Sequence, residues 1–202
     1  MKKFLLIIIL IILTCVSFAQ EWIRHYGYGQ RPFSSYCIEN YYKGYILAGS
    51  VNYGKYGWII KTDVNGNQLW DIKIGDGINL TNTANIEQTP DHGFIVCGTT
   101  DNFNPPHSDP YVMKLNNCGE LEWCKAILYD NNSDGSISVK PTADGGYVLA
   151  ALFYGNNQED LIRMFKFDSL GELVWYRIFN GDPNVVSERI RTMYSDDSTF
   201  CN

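Results

Sequence analysis

Three runs of the chain are apolar without alternation: YILAG at 45–49, FIVCG at 94–98 and YVLAA at 147–151. A strand with no polar face is buried on both sides, so each run calls for sheets stacked above and below it. A second pattern follows each run. KTDVNGNQLW at 61–70 returns as KLNNCGELEW at 114–123 and as KFDSLGELVW at 166–175. Asp63, Asn116 and Asp168 can accept hydrogen bonds from backbone N–H groups two or three residues on. Gly66, Gly119 and Gly171, three places later, take a positive φ at little steric cost. Such a turn makes a short hairpin loop with a bulge, so its flanks are antiparallel neighbours. Trp70, Trp123 and Trp175 close the unit at a fixed place, where a wide ring packs on the sheet of the next copy.

Together the patterns predict four strands per repeat: 36–40, 45–51, 57–62 and 68–74, then 85–89, 94–100, 111–115 and 121–128, then 136–140, 147–153, 161–167 and 173–179. The steps from Trp70 to Trp123 and from Trp123 to Trp175 are 53 and 52 residues. Four short antiparallel strands in about 50 residues is the arithmetic of a β-propeller blade. The expected fold is therefore all-β, a β-propeller with blades at 35–77, 84–130 and 136–181. Residues 20–30 read as an orphan outer strand, with Trp22 falling 48 residues before Trp70, and 188–202 read as the start of a further blade. Three whole blades with two partial ends leave the ring incomplete, and the chain is expected to continue into further C-terminal blades.

Residues 1–19 carry two lysines, an apolar stretch at 4–13, then Ser17 and Ala19 at the small-residue positions of a signal-peptidase site. They read as a secretory signal, too short for a bilayer span of roughly 20 residues. The mature chain, 20–202, is expected outside the cell or at its surface, without membrane insertion. A lipidated Cys15, which would suit an envelope-assembly protein, is the rival reading, though Thr14 fits poorly before it. Loss of the leader's two lysines moves the formal charge from −6 to −8, which argues against nucleic acid as a partner.

Cys37, Cys97, Cys118, Cys124 and Cys201 remain after cleavage. Export permits disulfides, but Cys118 and Cys124 flank an extended segment that holds their Cα atoms about 15–20 Å apart, beyond the roughly 7 Å limit for a bridge. Their spacing and the unaligned His25, His92 and His107 predict no metal site. Gly27-Tyr28-Gly29 follows a strand without a helix pattern after it, so it reads as a turn and not as a phosphate loop. The acid pairs at 159–160 and 196–197 read as surface turns.

The repeat resembles the secreted β-propeller repeats of Bacteroidetes-type bacteria. Ile86, Gln88, Thr89, Asp91, Gly93 and Phe94 match the first half of that pattern, and Asp144, Gly145, Gly146 and Tyr147 match it again. The first copy departs, with NYYK at 40–43 in place of T-x-D-G. The resemblance implies fold and export, and type IX secretion where a C-terminal sorting domain follows. More distantly, D-x-x-G-x-x-x-W resembles the tryptophan-docking repeat of quinoprotein propellers, which implies a quinone enzyme. Its Asp and Trp recur in every copy, however, and are best explained by what every blade needs.

Residues that occur once are the better pointers to binding. The irregular stretch TDNFNPPHSDP at 100–110, with the corresponding loops at 52–56 and 154–160, is expected to line one rim. Tyr53, Tyr56, Asp101, Phe103, His107, Asp109 and Tyr154 are the candidate contacts for a protein or polysaccharide. The reading is a secreted, non-catalytic scaffold without a cofactor. The alternative is an exported propeller enzyme, quinone-dependent or carbohydrate-active.

Overall fold

The computed structural model describes residues 23–128, 133–154, 160–179 and 192–195. The leader, Cys15, Trp22, Cys201 and the pair 196–197 lie outside them. The described chain is all-β, with strands β1 (Phe33–Glu39), β2 (Tyr45–Val51), β3 (Tyr56–Thr62), β4 (Gln68–Ile74), β5 (Thr81–Gln88), β6 (Phe94–Asn104), β7 (His107–Leu115), β8 (Leu121–Leu128), β9 (Gly135–Pro141), β10 (Tyr147–Tyr154), β11 (Asp160–Phe167), β12 (Leu173–Phe179) and β13 (Thr192–Ser195). They form three antiparallel sheets in the orders β1-β2-β3-β4, β13-β8-β7-β6-β5 and β12-β11-β10-β9. Apart from β13, each is a meander, so in the first sheet the β1–β2 and β3–β4 turns lie at one end and the β2–β3 loop at the other.

The turn chemistry recurs in all three sheets. Asp63 Oδ1 accepts from the N–H groups of Asn65 and Asn67, both at 2.8 Å. Asn116 Oδ1 does the same for Cys118 and Glu120, and Asp168 Oδ1 for Leu170 and Glu172. Gly66, Gly119 and Gly171 have φ of 73°, 86° and 81°. In each sheet the ladder slips by one residue just before the turn, at Lys61, Lys114 and Lys166. These are the bulged hairpins that the spacing predicts.

The sheets stack in chain order. β5 packs on β1, β2 and β3, and β9 packs on β5, β6 and β7. Alternate residues of the middle sheet supply both interfaces. Phe94 and Val96 join Ile46, Ala48 and Ile59 of the first sheet, while Ile95 and Cys97 join Leu149, Ala151 and Phe165 of the third. Phe94, Ile95, Val96 and Cys97 are fully buried, as a run with no polar face requires. Burying each of the larger ones contributes about 1.5–3 kcal/mol.

The recurring tryptophans join one sheet to the next. The Trp70 indole lies on Gly119 of the second sheet, where a Cβ on the glycine would stand 3.4 Å from the ring. Trp123 lies on Gly171 of the third, where the distance would be 2.7 Å. One glycine therefore both closes its own turn and leaves room for the preceding sheet's indole. Trp175 has no later sheet above it among the described residues and is 36% exposed.

Three segments differ from expectation. Residues 100–110 are not an irregular loop: β6 and β7 continue through them, Asn104 pairs with His107, and Pro105 and Pro106 form the tip. At the tip the prolines' missing N–H groups cost no ladder bond. Residues 192–195 do not begin a further sheet. They pair with β8, from Thr192 opposite Leu128 to Ser195 opposite Lys125, so the middle sheet has five strands and its exposed edge is covered. Residues 23–26 form no strand. The segment instead lies on the outer face of the first sheet, where Gly27 meets the Trp58 ring and the Tyr26 hydroxyl donates to Gly66 O at 2.6 Å. Gly27, Tyr28 and Gly29 form a turn, as expected.

Cys118 is free, as the strand geometry requires, and so are Cys37 and Cys97. Cys124 is disulfide-bonded.

Candidate functional site

The rim expected to bind is the end that carries the β2–β3, β6–β7 and β10–β11 connections. Tyr53 sits there in a tight turn, with Asn52, Tyr53 and Gly54 all at positive φ. It is 63% exposed, and the Arg31 guanidinium lies 4.3 Å from its ring centre. Tyr154 is 47% exposed, its N–H donating to Asp134 Oδ1 at 2.9 Å. Tyr56 is half-buried and packs on the outer core of the first sheet. Phe103 packs against the first interface, and Asp109 is fully buried. Asp101 accepts from Ser108 Oγ across the hairpin, and His107 is half-buried beside the proline tip. The structure therefore brings Tyr53 and Tyr154 to solvent on one end, while Tyr56, Phe103 and Asp109 are held in packing.

Beneath this rim the first interface is polar and sealed. Thr81 and Thr100 share a hydrogen bond at 3.0 Å, and Thr83 and the Tyr111 hydroxyl share another at 3.1 Å. Burial holds the Tyr111 hydroxyl well above its ordinary range. The middle hairpin is held at both sides, Asp101 N–H donating at 2.9 Å to the O of Leu80, just before β5, and Asp134 N–H, just before β9, donating to Ser108 O at 2.6 Å.

The opposite end carries a second constellation, built on the turn between the first two strands of each sheet. In the second copy Lys114 is 2% exposed, and its Nζ reaches Asp91 Oδ2 at 2.8 Å, Leu115 O at 3.1 Å and Glu122 at 3.2 Å. In the third, Lys166 Nζ reaches Asp144 Oδ1 at 2.7 Å and Thr142 Oγ1 at 2.5 Å. Burial pushes the Asp91 carboxyl up, but hydrogen bonds from Lys114, Thr89 and the Gly93 N–H outweigh it and bring it down to about 2. The Lys166 and Thr142 hydrogen bonds hold Asp144 lower still.

The first copy has Tyr42 where the others have aspartate. Lys61 then turns to the next sheet and donates to Asn117 O and Oδ1 at 2.9 and 2.5 Å. Its Nζ lies 5.7 Å from the Tyr42 and Trp70 ring centres and 5.5 Å from that of Phe94. Burial lowers its pKa. Above it Tyr41, Tyr42 and His92 form an aromatic surface: Tyr41 and Tyr42 meet edge to face at 5.3 Å, and His92 lies 4.1 Å from Tyr41. The group spans two repeats, so no single repeat reveals it; its trace in the sequence is the departure of the first copy at 40–43.

Among the described residues no group of three His, Cys, Asp or Glu side chains is placed to share a metal ion. A cleft of about 180 Å³ on the outer face of the first sheet is lined chiefly by Tyr26, Pro32, Phe33, Leu47, Trp58 and Ile60.

No family model matches the chain, and no curated protein does. Among solved structures the chain is similar to a protein of unknown function from Bacteroides caccae, at 11% identity and a TM-score of 0.36. That similarity covers 75% of this chain and 62% of the other protein's length.

Proposed function

We propose that the three sheets are consecutive blades of a β-propeller, and that the chain is an exported, non-catalytic scaffold that binds a protein or polysaccharide through its variable rim. The observation that carries this is a division of labour among residues. Those that recur in every copy are taken up in turns and sheet-to-sheet contacts: the indoles of Trp70 and Trp123 on Gly119 and Gly171, the carboxamide or carboxylates of Asn116, Asp63 and Asp168 on their own backbone. Of those that differ between copies, Tyr53 and Tyr154 face solvent.

The propeller reading is supported by the far face of the third sheet. Val148, Ala150 and Met164 occupy there the places at which Ile95, Cys97 and Val112 meet the third sheet, and Trp175 stands over them. A further sheet of the same kind would cover that face. The scaffold reading is tested by a glycan array and a pull-down from the medium or cell surface, using the exported protein and a Tyr53→Ala/Tyr154→Ala variant. Retained ligand that the double variant loses, with an unchanged unfolding midpoint, supports rim binding; equal retention by both proteins ends it.

A further inference from the structure

The turn between the first two strands has the same backbone in all three copies. Asn40, Thr89 and Thr142 donate their N–H groups to Gly44, Gly93 and Gly146, and the residue before each glycine is left-handed. Gly145 fills that place in the third copy with φ of 82°, whereas Lys43 and His92, each at 66°, fill it in the first two. A side chain there costs stability relative to glycine. The first copy also gives up the aspartate that Lys114 and Lys166 use. Two departures from what the fold favours thus converge on one surface, and both place large side chains on it.

That surface has a definite chemistry. Tyr41 and Tyr42 are 65% and 58% exposed, and His92 extends the ring surface beside them. Backbone and side chain fix the assembly across the two sheets: Tyr41 N–H donates to Gln88 Oε1 at 2.6 Å, and Gln88 Nε2 donates to His92 O at 3.2 Å. Next to the rings the exposed Lys43 and Glu39 pair at 2.9 Å, offering both a donor and an acceptor while cancelling in charge. Flat rings beside a neutral donor–acceptor pair match a hexopyranose, whose C–H face is apolar and whose rim is hydroxyl. The chain's formal charge of −6 disfavours sulfated or uronic sugars.

We propose that Tyr41, Tyr42 and His92, their rings inclined at 46° to 89° to one another, form an aromatic platform of several faces on which the neutral sugar units of a polysaccharide stack, with Lys43 and Glu39 contacting ring hydroxyls. This platform lies at the opposite end of the sheets from the Tyr53 and Tyr154 rim and is independent of it.

The test is native gel electrophoresis through gels that contain a soluble mixed-linkage β-glucan, a galactomannan or an arabinoxylan. The wild-type protein is retarded by at least one of them, and Tyr41→Ala raises Kd about tenfold. Tyr42→Asp restores the aspartate of the other two copies, so it removes the ring while keeping the turn. It also loses retardation, with an unfolding midpoint no lower than wild type. The Tyr53→Ala/Tyr154→Ala variant keeps its retardation. No retardation by any of the three polysaccharides overturns the inference. So does retardation that survives Tyr42→Asp, or that the rim variant abolishes instead.

Discussion

The first and middle sheets share a four-strand meander and one set of turns, with β13 added at the edge of the middle one, yet the middle sheet is closed on both faces and its buried lysine is paired with carboxylates. The first sheet differs on both counts. Among the described residues its outer face meets only the segment around Tyr26 and Gly27, and its lysine leans on Asn117 and three aromatic rings. The difference teaches which residues the fold needs and which it tolerates. The indole-on-glycine contact is kept at both interfaces, while the lysine–aspartate pair is dispensable once.

The largest effect that sharpens this contrast is at the contact itself. Trp123→Ala removes a ring packed on Gly171 and 5.7 Å from Tyr147, and is expected to cost about 3 kcal/mol in urea unfolding. Trp175→Ala, at the same place in the repeat but 36% exposed among the described residues, is expected to cost under about 1 kcal/mol in this 202-residue chain. Equal costs would break the comparison.

Next comes the turn. Asp91→Ala leaves the nearly buried Lys114 ammonium with only Glu122 as a charged partner, and an expected loss of about 1–2 kcal/mol follows. Tyr42→Asp runs the other way. It gives Lys61 a carboxylate and is expected to add about 1 kcal/mol, or roughly 2–4 °C in Tm.

The pairs also set a pH dependence. A carboxyl held below its unfolded value contributes stability that is complete above about pH 4 and is lost as pH falls through the folded value, here about 2 for Asp91 and lower for Asp144. Acid titration of the urea midpoint should therefore fall between pH 4 and 2. Asp91→Asn flattens that fall, and Tyr42→Asp steepens it. A midpoint independent of pH over this range would contradict the pairing.

The smallest effect concerns thiols. Cys37 and Cys118 are exposed and should alkylate in the native protein. Cys97, in the middle sheet, is sealed, with burial raising its thiol to about 12, and should alkylate only after unfolding. Mass spectrometry of labelled peptides separates the two classes.

Much of this architecture was legible in the sequence because it rests on local chemistry. The Asp or Asn, the glycine and the one-residue slip of each hairpin lie within ten residues, and β2, β4, β8 and β12 have the bounds that the repeat pattern implies. What escaped depends on partners distant in the chain. Nothing near 100–110 says that Thr100 pairs with Asp109, because polar residues and two prolines look the same in a hairpin tip as in a loop. Residues 192–195 resemble a first strand, but the unpaired edge of β8 offered them a ladder. Residue type alone points to the rim set, and Phe103 and Asp109 are buried for reasons of packing that type does not carry. The Tyr41, Tyr42 and His92 surface joins residues about fifty positions apart, visible only once the sheets are stacked.

Proton NMR of the glycine α-hydrogens tests whether the Trp70 and Trp123 indoles sit on the turn glycines of the following sheets. At Gly119 and Gly171 the hydrogen that stands where a Cβ would be points at an indole ring, so its resonance should move clearly upfield, and return in Trp70→Ala and Trp123→Ala respectively. Unshifted resonances at Gly119 and Gly171, or shifts that survive loss of the tryptophans, would contradict the stacking described.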